Sequence, residues 1–247
     1  MSDEINIGTL SGGTNQIGGH GNVINPGSAV LGAVAGVGEQ AGEAGDSPAH
    51  GLYAFADIVG YSRLDARLQK MTQDHLASLL DASLAEAGAR PGQVAPQDQG
   101  DARLLRFPAG TDAAKVLAVM PRHINDELLV RNQDMAPHAR MRVRLSFTMG
   151  VAARGGTGLT GAAPIAVVRL ANSAIFRQAM HIALQAQCGV VLDHYLYSQY
   201  VRQKFRADIS PDDYVPVHVS DPEKDFEEAA WIKLFGYSGE QVISLLA

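Results

Sequence analysis

The chain has 247 residues, of which 46% are hydrophobic and 19% charged, and its formal net charge is -6. This length accommodates one domain of about 150 to 200 residues and an additional segment. The negative charge argues against nucleic acid as a partner, because neutralising phosphates requires a basic surface. The single cysteine, Cys188, fits a reducing compartment, and no apolar run approaches the roughly 20 residues of a membrane span. We therefore expect a cytoplasmic protein without a membrane span.

Residues 1–50 differ in composition from the rest of the chain. They hold 12 of the 26 glycines and contain no aromatic residue, lysine or arginine. Residues 1–37 are predicted to form either a flexible tail or a β-prone, glycine-rich arm that pairs with a second copy or another protein. Residues 38–50 are predicted to form a linker.

The globular pattern begins after the linker and predicts a domain at residues 51–220 with a C-terminal extension at 221–247. The predicted elements are a strand at 52–58, a helix over 64–84, two strands joined at Gln99-Gly100 within 94–107, a helix over 112–130, a strand at 142–151, a helix over 164–181, a strand at 190–192, a helix over 195–205, and strands at 215–219 and 231–235. Their order predicts an α+β fold, with a ferredoxin-like βαββαβ sheet covered by helices on one face.

Two acidic motifs flank the first predicted helix. Phe55-Ala-Asp57-Ile-Val-Gly-Tyr-Ser62 and Asp98-Gln-Gly-Asp101 each place an aspartate where an apolar run meets a turn. Two carboxylates presented in this way can share a divalent cation, which nucleoside triphosphate chemistry requires. Each aspartate also has a structural alternative, since Asp57 could cap the following helix and Asp101 could serve only the hairpin turn.

These motifs are followed by Arg142-Val-Arg-Leu-Ser-Phe-Thr-Met-Gly150, Gly161 and Arg169-Leu170. In this order, over about residues 52–220, the chain resembles the class III nucleotidyl cyclases, the adenylate/guanylate type. The late segment Tyr214-Val-Pro-Val217 is similar to that of a cyclase-homologous group common in actinobacteria. The resemblance implies a homodimer that converts a nucleoside triphosphate to a 3′,5′-cyclic mononucleotide and pyrophosphate, in bacterial signalling or antiphage defence. Residues 1–37 are a candidate for joining such dimers into a larger assembly.

The resemblance implies roles for individual residues. Asp57 and Asp101, assisted by the Ile58 carbonyl, would hold two metal ions, Mg²⁺ or Mn²⁺. Arg169 of the other subunit would neutralise charge that develops on the α-phosphate. The other residues assigned to substrate binding are Gln97, Gly60, Tyr61, Ser62 and Arg144. For Arg144 and Arg169, a solvated arginine on a strand or helix surface is the structural alternative.

Two positions depart from the family pattern. Ile165 stands where the family has a ribose-orienting asparagine, four residues before Arg169, and isoleucine cannot hydrogen-bond a ribose oxygen. Gln97 stands where purine cyclases have lysine or glutamate, and an amide can both donate and accept. The sequence therefore does not identify the base of the nucleotide, and pyrimidines are included because the Pycsar-type cyclases use them. Two other hypotheses remain: a catalytically degenerate homologue acting as a nucleotide sensor or scaffold, and an interaction module with a structural acidic pair.

Overall fold

The computed structural model describes residues 47–247. The predicted arm at 1–37 lies outside the described residues, and so does the predicted linker up to residue 46. The last two linker residues, Ala49 and His50, already belong to the first strand. No helix in the described part of the chain is long and apolar enough to cross a bilayer.

The strands of the described chain are β1 (Ala49–Ile58), β2 (Ala95–Gln99), β3 (Ala102–Arg106), β4 (Val143–Gly155), β5 (Gly158–Thr160), β6 (Cys188–Asp193), β7 (Val215–Asp221) and β8 (Phe226–Leu234). The helices are α1 (Ala66–Glu86), α2 (Ala113–Gln133), α3 (Ala162–Asn172), α4 (Ala174–Ile182), α5 (His194–Leu196), which continues as a π-helical turn (Tyr197–Val201), and α6 (Gly239–Leu246).

The strands form one sheet in the order β2-β3-β1-β4-β6-β8-β7, and β5 pairs with the end of β4. All neighbours are antiparallel except β4 and β6. The segment from β1 to β4 has the predicted βαββαβ order, which confirms the α+β class. The predicted boundary at residue 220 does not divide the sheet, because β8 lies between β6 and β7. Residues after 220 therefore supply an inner strand.

The two faces of the sheet are covered by different helices. Alternation along β1 directs Leu52 and Ala54 into the core on one face of the sheet. Helices α1 and α2 cover this face, which agrees with the prediction of a sheet covered by helices on one face. Tyr53 and Phe55 point to the opposite face, where α3 packs on them. Phe176 and Met180 of α4 extend this second layer over β6 and β8. Thus β1 ends between two packed layers, so its last side chains are held firmly.

The predicted helix over 164–181 is two helices that meet at Ser173. The Ser173 hydroxyl donates to the Leu170 carbonyl at 2.8 Å, and the Ser173 backbone is extended, with ψ at 143°. A serine that bonds its own preceding turn offers the backbone an alternative to the helix. The break lets α4 leave the direction of α3 and pass along the sheet.

Gly161 sets where α3 begins, and we predict that Gly161→Ala lowers the free energy of unfolding by about 2 kcal/mol or more. Gly161 has φ at +123°, and an added Cβ would lie 2.8 Å from the Val151 carbonyl oxygen. Denaturant unfolding measures the change. Gly156→Ala in the adjacent loop is the control, because nothing lies within 4 Å of its added Cβ. Equal stability of the two variants would contradict this explanation.

Candidate functional site

A cleft of about 980 Å³ opens at the carboxyl end of β1. Gly60, with φ at +77°, turns the chain out of the strand, and a 3₁₀ turn over Tyr61–Arg63 follows. The predicted site residues that line this cleft are Asp57, Ile58, Gly60, Tyr61, Ser62, Asp101 and Arg144. The two acidic motifs are therefore brought together on one surface.

Strand pairing places Asp101 beside the end of β1. Asp57 pairs with Ala102 of β3, so Asp101 is the next residue toward the turn, and the Ile58 N–H donates to the Asp101 carbonyl at 3.3 Å. The structural alternative for Asp57 is wrong, because Asp65 caps α1 by accepting from the Leu68 N–H at 2.8 Å. Asp57 thus remains a cleft carboxylate.

Asp57 forms a buried ion pair with Arg144, its cross-strand neighbour on β4. Each residue is only 6% exposed, so Arg144 is not a solvated strand arginine. Burial raises the pKa of Asp57, Arg144 opposes this, and the negative charge of Asp101 raises the pKa further. The Arg144 Nε is buried and has no hydrogen-bond partner among the described residues. A ligand in the cleft could therefore provide the missing acceptor for the Arg144 Nε and change the charge balance around Asp57.

The donors that the described chain offers in the cleft fit a metal ion only if other ligands complete its coordination. Within residues 47–247, no three His, Cys, Asp or Glu side chains are grouped so that they could hold a metal alone. Asp57 and Asp101 supply two carboxylates. Mg²⁺ is commonly held by one or two carboxylates with phosphate oxygens and waters, and it rarely has an all-protein cage. The cleft therefore suits a metal that enters with a phosphorylated ligand.

Arg169 and Gln97 do not line this cleft in the single chain. The Arg169 guanidinium lies 5.2 Å from the centre of the Phe226 ring and borders an adjoining recess of about 610 Å³, which shares part of its lining with the cleft. Gln97 accepts a hydrogen bond from the Leu159 N–H at 3.1 Å, which ties β2 to β5. Ile165, on α3, is 49% exposed. One chain therefore assembles the acidic half of the predicted site and leaves Arg169 outside it.

Sequence reasoning missed the wall of the cleft that faces the acidic pair. Its polar residues are Asn172 at the end of α3 and Arg177, Gln178 and His181 on α4. The only signal for them in the sequence is a polar face on a predicted helix. The sequence does not predict the break at Ser173, which sets the direction of α4. Arg142, in contrast, has a structural task, since its guanidinium donates to the carbonyls of the α4 end and the chain after it.

The sequence matches no protein-family model and no curated protein. Among solved structures, an adenylate/guanylate cyclase/hydrolase from Silicibacter pomeroyi has a TM-score of 0.56 at 15% identity, covering 77% of this chain and 99% of its own. A bacterial light-regulated adenylyl cyclase has a TM-score of 0.54 at 13% identity, over 81% of this chain and 57% of its own. The guanylate cyclase domain of RhGC from Catenaria anguillulae, in complex with GTP, has a TM-score of 0.51 at 14% identity, over 76% and 97%.

These likenesses establish the fold. The described chain has the fold of class III nucleotidyl cyclase catalytic domains, as the sequence predicted.

The buried ion pair generates a stability prediction. Arg144→Met is expected to lower the free energy of unfolding by about 3 kcal/mol at pH 7, because it leaves the Asp57 carboxylate buried without its partner. The loss should shrink as the pH falls. With its pKa raised in the folded state, Asp57 binds a proton more readily there than in the unfolded chain, so stability declines as the pH rises through that interval.

Denaturant unfolding between pH 4 and pH 8 measures this effect. The double variant Asp57→Asn/Arg144→Met is the control, because it removes both charges and should recover part of the loss. An Arg144→Met variant that is as stable as the wild type at every pH would contradict the ion pair.

Proposed function

We propose that the protein is a metal-dependent class III nucleotidyl cyclase, which converts a nucleoside triphosphate to a 3′,5′-cyclic mononucleotide and pyrophosphate. The observation that carries the proposal is the meeting of Asp57 and Asp101 in one cleft of a cyclase-type fold. The cyclase domain from Catenaria anguillulae binds GTP on this fold, which supports a triphosphate ligand for the present cleft. We include a cytoplasmic role in bacterial signalling or antiphage defence in the proposal.

The residues of the cleft have distinct tasks in this reaction. Asp57 and Asp101, with the Ile58 carbonyl, would hold Mg²⁺ or Mn²⁺, which would supply Lewis-acid stabilisation of charge on the phosphates. Arg144 borders the cleft, and its buried Nε, which has no partner among the described residues, would donate to a phosphate oxygen. The ribose 3′-oxygen bonds to the α-phosphorus, its proton goes to solvent, and the bond to the departing pyrophosphate breaks.

The proposal includes a homodimer. Arg169 borders a recess outside the cleft of its own chain, so its predicted role requires that Arg169 of the partner subunit complete the site. Gln97 remains the proposed contact to the base, and its amide is compatible with purines and pyrimidines. Residues 1–37 would serve higher assembly of such dimers.

A second candidate function is a degenerate cyclase homologue that binds nucleotide as a sensor or scaffold. The observation that favours it is Ile165, a half-exposed apolar side chain on α3 at the position where the family pattern has a ribose-orienting asparagine. Such a protein would keep metal and phosphate binding and lose turnover.

The first functional prediction is metal-dependent cyclic product. The purified chain is incubated with each of the four ribonucleoside triphosphates and Mn²⁺, and products are identified by mass spectrometry. We expect a cyclic monophosphate from at least one nucleotide, reduced about a hundredfold or more by Asp57→Ala or Asp101→Ala.

Asp98→Ala is the control, because Asp98 is an exposed aspartate of the same hairpin that pairs with Arg103 and does not line the cleft. The enzyme proposal is overturned if no nucleotide gives product and wild type and Asp57→Ala behave alike. Nucleotide binding without product favours the sensor.

The dimer generates a complementation prediction. Asp57→Ala and Arg169→Ala should each be inactive alone, while co-expression should restore about a quarter of the wild-type activity. Half of the dimers are then mixed, and each mixed dimer holds one intact site of two. The same activity assay measures this, with each variant co-expressed with itself as the control. No recovery in a sample proven to contain mixed dimers would contradict the role of Arg169 across the interface.

A further inference from the structure

Helix α4 is held rigidly against the sheet at the edge of the cleft. Gly189 of β6 allows this approach, because an added Cβ would lie 2.4 Å from the Met180 sulfur and 3.1 Å from the Phe176 ring. At the other end of the helix, the Arg142 guanidinium donates to the carbonyls of Met180 and Ala183 at 2.6 Å each. Two independent contacts therefore fix the position and direction of α4.

The outer face of α4 presents polar side chains to the cleft. Arg177 and His181 are four residues apart and lie on one side of the helix, and both line the cleft that Asp57 and Asp101 also line. Arg177 is exposed. Its positive charge acts to lower the pKa of Asp57, which places it within electrostatic reach of the acidic pair.

Among the described residues, the Arg177 side chain has no partner, in contrast to Arg142 and Arg144; Arg63, which also lines the cleft, has none either. Arg144 is paired with Asp57, and Arg142 is occupied by backbone carbonyls. Within residues 47–247, Arg177 forms no ion pair and no side-chain hydrogen bond. Helix α4 thus presents a guanidinium without a side-chain partner to the cleft that is proposed to bind a metal and phosphates. Guanidinium groups bind phosphate oxygens in a bidentate manner.

We propose that Arg177 binds the phosphate tail of the nucleotide from the same chain that supplies Asp57 and Asp101. This inference rests on the proposed function for the identity of the ligand. Arg177 lines both the cleft and the adjoining recess, whereas Arg169 lines only the recess, so of the two arginines only Arg177 reaches the cleft of its own chain. Arg177 lies in the segment after Arg169 and belongs to none of the motifs that carry the family resemblance.

The test uses inorganic tripolyphosphate with Mn²⁺ as a probe that is independent of the base, and calorimetry measures its binding to the full chain. We expect Arg177→Ala to weaken binding about tenfold or more, and Arg177→Lys to weaken it less because the charge is kept. Arg202→Ala, an exposed arginine outside the cleft, should bind as the wild type does. Thermal melting verifies that each variant is folded.

Wild-type affinity of Arg177→Ala overturns the inference, and so does a wild type that fails to bind tripolyphosphate. It is also overturned if only Arg63→Ala, at the rim of the cleft, loses binding. The proposed function is tested separately by turnover. Cyclic product together with unchanged binding by Arg177→Ala defeats the inference alone. Loss of tripolyphosphate binding in Arg177→Ala without product from any nucleotide supports the inference and defeats the enzyme proposal.

Discussion

The site depends on one buried interaction, the ion pair between Asp57 at the end of β1 and Arg144 on β4. Burying two charges is costly unless each is compensated, and the antiparallel pairing of β1 with β4 sets these two charges opposite each other where the cleft begins. It also places a carboxylate and a guanidinium together at the mouth of the cleft. Both side chains line the cleft, where an added ligand could contact them.

The rest of the cleft is arranged around this pair by the sheet and by α4. The β2–β3 turn brings Asp101 to the side of Asp57. The Arg142 guanidinium donates to carbonyl oxygens at the end of α4 and so holds that end of the helix. Two arginines near the start of β4, one just before the strand and one inside it, therefore have different tasks. Arg144 balances charge inside the cleft, and Arg142 positions the helix that carries Arg177.

The acidic half of the site could be predicted from the sequence because its signal is local. An apolar run that ends in Asp57, and a hairpin turn at Gly100 and Asp101, each report the position of a strand end. The other half depends on contacts between distant segments. The polar pattern of β4 indicated surface arginines, yet Arg144 is buried, because only the fold reveals that Asp57 lies opposite. The break at Ser173 depends on one side-chain hydrogen bond, so the direction of α4 and the place of Arg177 were not foreseen.

Asp57 and Asp101 are proposed to form a metal site that a phosphorylated ligand completes. Electron paramagnetic resonance titration of Mn²⁺, with and without tripolyphosphate, tests it most directly. We predict weak binding of Mn²⁺ alone, clearly tighter binding with tripolyphosphate, and loss of that gain in Asp57→Ala and Asp101→Ala. Mn²⁺ binding that is the same with and without tripolyphosphate, and unchanged in both variants, would contradict the account.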